Sequence, residues 1–458
     1  MENIRSACSL LFCAILTAGG LAGVHAQTAA KASAVPADIY PESGNRLPLP
    51  KPEGMNDADR KIFEEIMAAQ KGGLSDREKE RPLARMHSPG VSRGLAEAHH
   101  YLKYETGLGD RLTTIAVLTA SRELTNQFEW TQWEEHARNP KDSRYVEPKV
   151  IDAIKNCGSV AGLDAKDAAT IAFGRELFGA RNVTSETFAK VRTLFGNRGT
   201  VDLEELMGLY AATSNELVMY DQQLHAGQPL MLPANAKSCM SPVPVAKAAV
   251  AVPADIDPES GNRLPLPKRE AMTEADRNVF DEIMARQQTG LSAREKERPQ
   301  VRMHSPGLSK GLNEAHHYLK YDSGLGDRLM TIAVLTTARE LTNQFEWTQW
   351  EEHADTPKDS RYVEPKVVEA IRACGPVAGL DEKDAAVITM GRELFGARKV
   401  SSETFAKVLQ LFGQRGTVDL EELMGLYAAT AYELVAFDQQ LHAGQKPLLP
   451  LNAGSCVK

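Results

Sequence analysis

Residues 35–51 read "VPADIYPESGNRLPLPK", and residues 252–268 read "VPADIDPESGNRLPLPK". From there to Cys239 and Cys456 the two segments stay in step at a constant offset of 217 residues, without a gap. A repeat of this length is a tandem duplication of a whole domain, not a solenoid of short units. It sets the organisation: a first copy over 35–241, a linker over 242–251 and a second copy over 252–458. The connector "PVPVAKAAVAVP" (Pro242 to Pro253) is rich in Pro, Ala and Val and reads as extended chain. After a recent duplication most residues still agree, so agreement between the copies does not by itself mark function.

Each copy reads as helix after helix. In "DADRKIFEEIMAAQ", Ile62, Phe63, Ile66 and Met67 recur at helical spacing. "HSPGVSRGLAEAHHYLKYETG" offers Ser88 as N-cap, Pro89 at the first helical position and Gly107 as a stop. "GDRLTTIAVLTASREL" is largely apolar and predicts a buried helix, followed directly by "LTNQFEWTQWEEHA". The later segments "EPKVIDAIKNCG", "DAKDAATIAFGRELFG", "SETFAKVRTLFG" and "DLEELMGLYAATSNELVMYDQQL" start on acidic, hydroxyl or Pro residues. No run alternates as a strand does, and the predicted fold class is all-α.

The first 26 residues place Arg5 before an apolar run from Ala7 to Val24 and end in "VHA" at Ala26. This is the pattern of a signal peptide with a small-residue cleavage site. Ser, Thr and Gly dilute the run below the roughly 20 strongly apolar residues of a spanning helix. The expectation is a periplasmic or secreted protein without membrane attachment after removal of residues 1–26. The net charge is −8, and no basic stripe is present to neutralise phosphates, so nucleic acid is not an expected partner.

The order "GDRLTTIAVLTASRELTNQFEWTQWEEHA", "VIDAI", "GLDAKDAA" and "TFAKVRTLFGNRGTVDLEELMGLY" resembles the carboxymuconolactone decarboxylase family, within the alkylhydroperoxidase D-like superfamily. The resemblance spans roughly Met86 to Leu224 and Met303 to Leu441. It implies two tandem all-helical domains, assembly into ring-like homo-oligomers, and either cofactor-free decarboxylation of a lactone acid or thiol-dependent peroxidase chemistry. Anchored on His136, the peroxidase Cys positions fall on Glu129 and Gln132, and on Glu346 and Gln349 in the second copy. With no thiolate there, thiol peroxidase chemistry is disfavoured. Anchored on "FEW", the decarboxylase-like His position holds Trp133 or Trp350, and the imidazoles of His136 and His353 come three residues later. A Glu that such relatives carry on the preceding helix is Thr114 or Thr331 here.

On a helix, Glu129, Trp133 and His136 fall on one stripe at spacings of four and three, with Gln132 beside them. A carboxylate and an imidazole on one face are the minimum for moving a proton. Glu129, His136, Glu346 and His353 are therefore the candidate catalytic residues. Gln132, Trp133, His99, Gln349, Trp350 and His316 are the candidate pocket residues. The alternative is a packed amphipathic helix, with His136 at its C-terminal end interacting with the helix dipole. No recognised carboxylate–histidine spacing supports a metal site, and no cofactor is expected.

Outside the first 26 residues the cysteines are Cys157, Cys239, Cys374 and Cys456, which allow three pairings. The simplest is one bridge per copy, Cys157–Cys239 and Cys374–Cys456. The sequence thus predicts an exported protein performing cofactor-free decarboxylation, lactone opening or isomerisation on a small organic acid or lactone. The competing expectation is a non-catalytic helical binding or assembly module that kept the fold.

Overall fold

A computed structural model describes residues 35–71, 83–233, 235–243, 252–290, 301–450 and 454–457. The expected signal peptide and residues 244–251 of the expected linker lie outside the described residues. Among the described residues the chain is all-α, and the only β-pairing is an isolated bridge between Tyr40 and Asn45. The first copy forms α1 (Asp57–Lys71), α2 (Pro89–Tyr104), α3 (Gly109–Glu123), α4 (Gln127–Ala137), α5 (Pro148–Lys155), α6 (Ala165–Gly174) and α7 (Ser185–Met219). The second repeats them as α8 (Glu274–Gly290), α9 (Pro306–His317), α10 (Asp327–Leu341), α11 (Gln344–Ala354), α12 (Pro365–Arg372), α13 (Glu382–Gly391) and α14 (Ser402–Ala436). No helix among the described residues is long and apolar enough to cross a membrane.

Local chemistry explains the boundaries. Thr125 turns left-handed (φ 55°) between α3 and α4, and Asn126 then caps α4 by accepting from the Glu129 N–H at 2.9 Å. Asp164 and Thr184 cap α6 and α7 in the same way. Gly196 (φ 71°, ψ 179°) breaks α7 into two stretches, so the segments "SETFAKVRTLFG" and "DLEELMGLY" abut without a loop. Ser88 precedes α2 as its position suggests but does not cap it. Its hydroxyl instead donates to Asp419 of the second copy at 2.5 Å.

α3 and α10 are the buried centre of each copy, closed over by α4, α6 and α7 or by α11, α13 and α14. The copies meet where α2 packs on α9 and α7 packs on α14, inside one compact unit from Asp38 to Lys458. The α2–α9 crossing is close because Gly94 and Gly311 face each other. A Cβ on Gly94 would lie 2.6 Å from the Ala315 nitrogen, and one on Gly311 would lie 2.7 Å from the Ala98 nitrogen. Beside this crossing, the Tyr318 ring covers Gly90 and the Tyr101 ring covers Gly307.

Polar chains run reciprocally across the same contact. Tyr101 pairs with Ser305 at 2.8 Å, and Ser305 donates to Asp202 at 2.6 Å; Tyr318, Ser88 and Asp419 repeat the arrangement. Arg302 of the second copy binds Glu205 and Glu433, and Arg85 of the first binds Glu216 and Glu422. Glu204 and Glu421 lie fully buried beside these ion pairs. Burial, reinforced by the neighbouring carboxylates, pushes both well above the usual carboxyl range.

Disulfides Cys157–Cys239 and Cys374–Cys456 join each C-terminal tail to the end of α5 or α12, with Cα separations of 5.3 and 5.2 Å. Buried Glu123 accepts from Ser238 Oγ at 2.5 Å and from the Cys239 N–H at 2.9 Å, fastening the same tail from the other side.

Candidate functional site

The α4 stripe stands as its spacing predicts, but its polar groups are engaged within the protein. The Trp133 indole N–H donates to Glu129 Oε1 at 2.5 Å, and both side chains are buried. Neither Arg111 nor Arg122 pairs with Glu129. Arg111 bridges Glu147 and Asp167, while Arg122 donates to the Lys155 and Lys237 carbonyls. One turn on from Trp133, His136 Nδ1 lies 2.9 Å from Asp142 Oδ2 and 2.6 Å from Arg144 Nη2. Arg144 also grips Asp142 at 2.6 Å, and this guanidinium holds the Asp142 carboxyl far below the usual carboxylate range against the opposing effect of burial.

The far side of Trp133 faces a cavity of about 220 Å³. Lys103 and Tyr104 from the end of α2, Asp110 and Thr113 from the first turns of α3, and Ser143 and Arg144 from the loop after α4 complete its wall. Two polar atoms of that wall, Arg144 Nη1 and Thr113 Oγ1, are buried without a hydrogen-bond partner in the protein. The Arg144 fork is taken by Asp142, Nε to Oδ1 at 2.7 Å and Nη2 to Oδ2 at 2.6 Å, so Nη1 is the guanidinium nitrogen left to a ligand at this wall, with Lys103 and Asp110 alongside.

Glu129 and His136 do not line this cavity. Each is one hydrogen bond behind a residue that does, Glu129 behind Trp133 and His136 behind Arg144. Gln132 donates to Gln228 of the tail at 2.9 Å. His99 is buried in α2, with Nδ1 3.1 Å from the Leu95 carbonyl and its ring edge-on to Tyr210, which in turn stands edge-on to Trp133. In the second copy Glu346 and Trp350 are buried, Gln349 donates to Gln445 at 2.7 Å, His353 Nδ1 is 2.7 Å from Asp359 and His316 stacks edge-on with Tyr427.

Lys103, Thr113 and Arg144 escape a reading of α4 alone. Lys103 carries a faint signal, being four residues after His99 and thus on the same helical face. Arg144 lies in the irregular "KDSRY" segment, where no periodicity points anywhere. A second depression of about 700 Å³ lies beside the N-terminal arm, lined by residues that include Asp59, His87 and Arg415. There Arg415 is tied to Asp59 and to the Tyr318 hydroxyl, and the His87 ring to the Pro48 carbonyl. Among the described residues no group of three or more His, Cys, Asp or Glu side chains is arranged to hold a metal ion. No family model, curated protein or solved structure matches the chain.

Proposed function

We propose that the protein is an exported, tandem carboxymuconolactone decarboxylase-like enzyme that performs cofactor-free acid–base chemistry on a small organic acid in the Trp133 cavity. The observation that carries this reading is the pair of cations, Lys103 and Arg144, set at the wall of an aromatic-floored cavity with Arg144 Nη1 still unpartnered. Isomerisation of an acid uses a cation that holds its carboxylate and a group that moves a proton; decarboxylation needs a proton for the carbon that CO2 leaves, and lactone opening a base for the attacking water. In this reading Asp110, the carboxylate of the cavity wall, exchanges a proton with the ligand. Glu129 and His136 act as positioning residues, Glu129 by fixing the Trp133 ring and His136, with Asp142, by fixing Arg144.

The test is to incubate the purified protein with a panel of 2-keto acids, unsaturated acids and lactones and to follow each by proton NMR. The reading predicts conversion of at least one acid or lactone, lost in Arg144→Gln. Conversion of none overturns it. The second reading, a binding module without chemistry, is favoured by the engagement of Glu129 with Trp133 and of His136 with Asp142. Saturable binding of an acid without turnover would select it.

A further inference from the structure

The two copies differ at one position of the cavity wall. Lys103, Tyr104, Asp110, Trp133, Ser143 and Arg144 recur as Lys320, Tyr321, Asp327, Trp350, Ser360 and Arg361, but Thr113 recurs as Met330. The hydroxyl lost there is an unusual one. Of the four hydroxyl residues of α3, Thr114, Thr119 and Ser121 each bond back to the carbonyl four residues earlier, at 2.7 Å. Thr113 Oγ1 makes no such bond and is buried at the cavity wall without a protein partner, although the residue is only 4% exposed. In α10, Thr331, Thr336 and Thr337 all bond back in the ordinary way, and Met330 is 3% exposed.

A buried hydroxyl left without a partner is costly, and a ligand oxygen recovers that cost on binding. Arg144 Nη1 at the same wall carries the same kind of cost and suits a carboxylate. A thioether supplies no comparable donor and takes up more space than the Thr side chain. The backbone differs as well: Lys103 ends a regular α-helix, whereas Lys320 sits in a π-helical turn, Tyr318–Asp322.

We propose that the copies have diverged in ligand choice: the first-copy cavity selects a small acid bearing a second oxygen, hydroxyl or keto, through Thr113 and Arg144, and the second copy, with Met330, does not. This rests on the reading of the Trp133 cavity as an acid site. In a two-point complex the carboxylate accepts from Arg144 Nη1, and the second oxygen bonds Thr113 Oγ1. Thr113 is thus the specificity residue, and each chain carries one such site.

The test is methyl NMR of the full chain, labelled at Met and Thr methyl groups and titrated separately with L-lactate, pyruvate and propionate. The expected result is a saturable shift of the Thr113 methyl with lactate or pyruvate and none of the Met330 methyl. Propionate, which lacks the second oxygen, should bind about tenfold more weakly or worse. Met330→Thr should create a second responding methyl, and Thr113→Met should remove the first. Both variants install the residue the other copy already carries at that place. Equal responses of Thr113 and Met330, or unchanged lactate binding in Thr113→Met, overturn the divergence while leaving the acid site standing. If none of the three acids shifts either methyl in the wild type or in Met330→Thr, the acid site falls and this inference falls with it.

Discussion

The indole N–H of Trp133 donates to the carboxylate of Glu129, one turn earlier on the same helix, at 2.5 Å. The carboxylate therefore holds the cavity floor in place from behind. Replacing Glu129 with Leu removes the acceptor of the buried indole N–H, at a cost of about 1–3 kcal/mol. Glu129→Gln keeps an acceptor for the indole and should lose less. Denaturant unfolding monitored by tryptophan fluorescence ranks the two; equal losses would mean that the hydrogen bond does not hold the ring.

Arg144 joins the cavity to the His136 and Asp142 pair. Arg144→Gln removes the group that grips Asp142 and reaches His136, together with the donor at the cavity wall. A charged hydrogen bond of this kind is worth about 1.5–3 kcal/mol, so acid binding should weaken by about tenfold or more. Because this guanidinium holds the Asp142 carboxyl far down, the same variant should raise the Asp142 titration toward ordinary carboxylate values. Carboxyl-detected NMR titration checks this; an unmoved Asp142 contradicts the arrangement.

The contact between the copies should make stability fall as pH rises. Burial pushes Asp202 up to about 6 and Asp419 to about 7, whereas both titrate near 3.8 when unfolded. Between those values the native state binds more protons than the unfolded state, so each group subtracts stability as pH increases, by roughly 1.4 kcal/mol per pH unit. The loss is complete above the folded values. The groups facing Asp419 are Ser88, Tyr318, Arg415, Asp59 and Glu422, and of these only Arg415 opposes the shift by charge. Unfolding free energy should be greater at pH 5 than at pH 7.5, and Asp202→Asn with Asp419→Asn should flatten the slope. A wild-type slope of opposite sign, unchanged in the double variant, would contradict this.

Gly94→Ala places a methyl group 2.6 Å from the Ala315 nitrogen and 2.7 Å from the Gly311 carbonyl oxygen, so helix backbone must shift to admit it. Overpacking of this kind costs about 1–3 kcal/mol or more. Gly107→Ala, with nothing within 4 Å, is the matched control. Thermal melting should drop for Gly94→Ala alone; equal melting temperatures would mean that the copies do not meet at this crossing.

The periodicity and the caps made the helices legible, and the repeat made their duplication legible. One bridge per copy was the simplest of three pairings of four cysteines, and Cys157–Cys239 and Cys374–Cys456 are the pairs that form. The α4 stripe located Trp133, because three- and four-residue spacing fixes a helical face. It did not reveal that Glu129 would turn to the Trp133 indole and His136 to Asp142, since those are choices among nearby partners. Thr113 and Arg144 meet only once α3 and the loop after α4 have packed. Glu204 and Glu205 of "DLEELMGLY" are buried, and Glu205 pairs with Arg302 of the other copy, which their own spacing cannot show.

The most direct test of the central claim is deuterium incorporation. A 2-keto acid bound by Arg144 is dissolved with the protein in D2O, and the proton signal of the carbon next to its carbonyl is followed by NMR. The account predicts loss of that signal above the buffer rate with the wild type, and a return to the buffer rate in Arg144→Gln. Binding of the acid with exchange no faster than in buffer would contradict acid–base chemistry and leave a binding module.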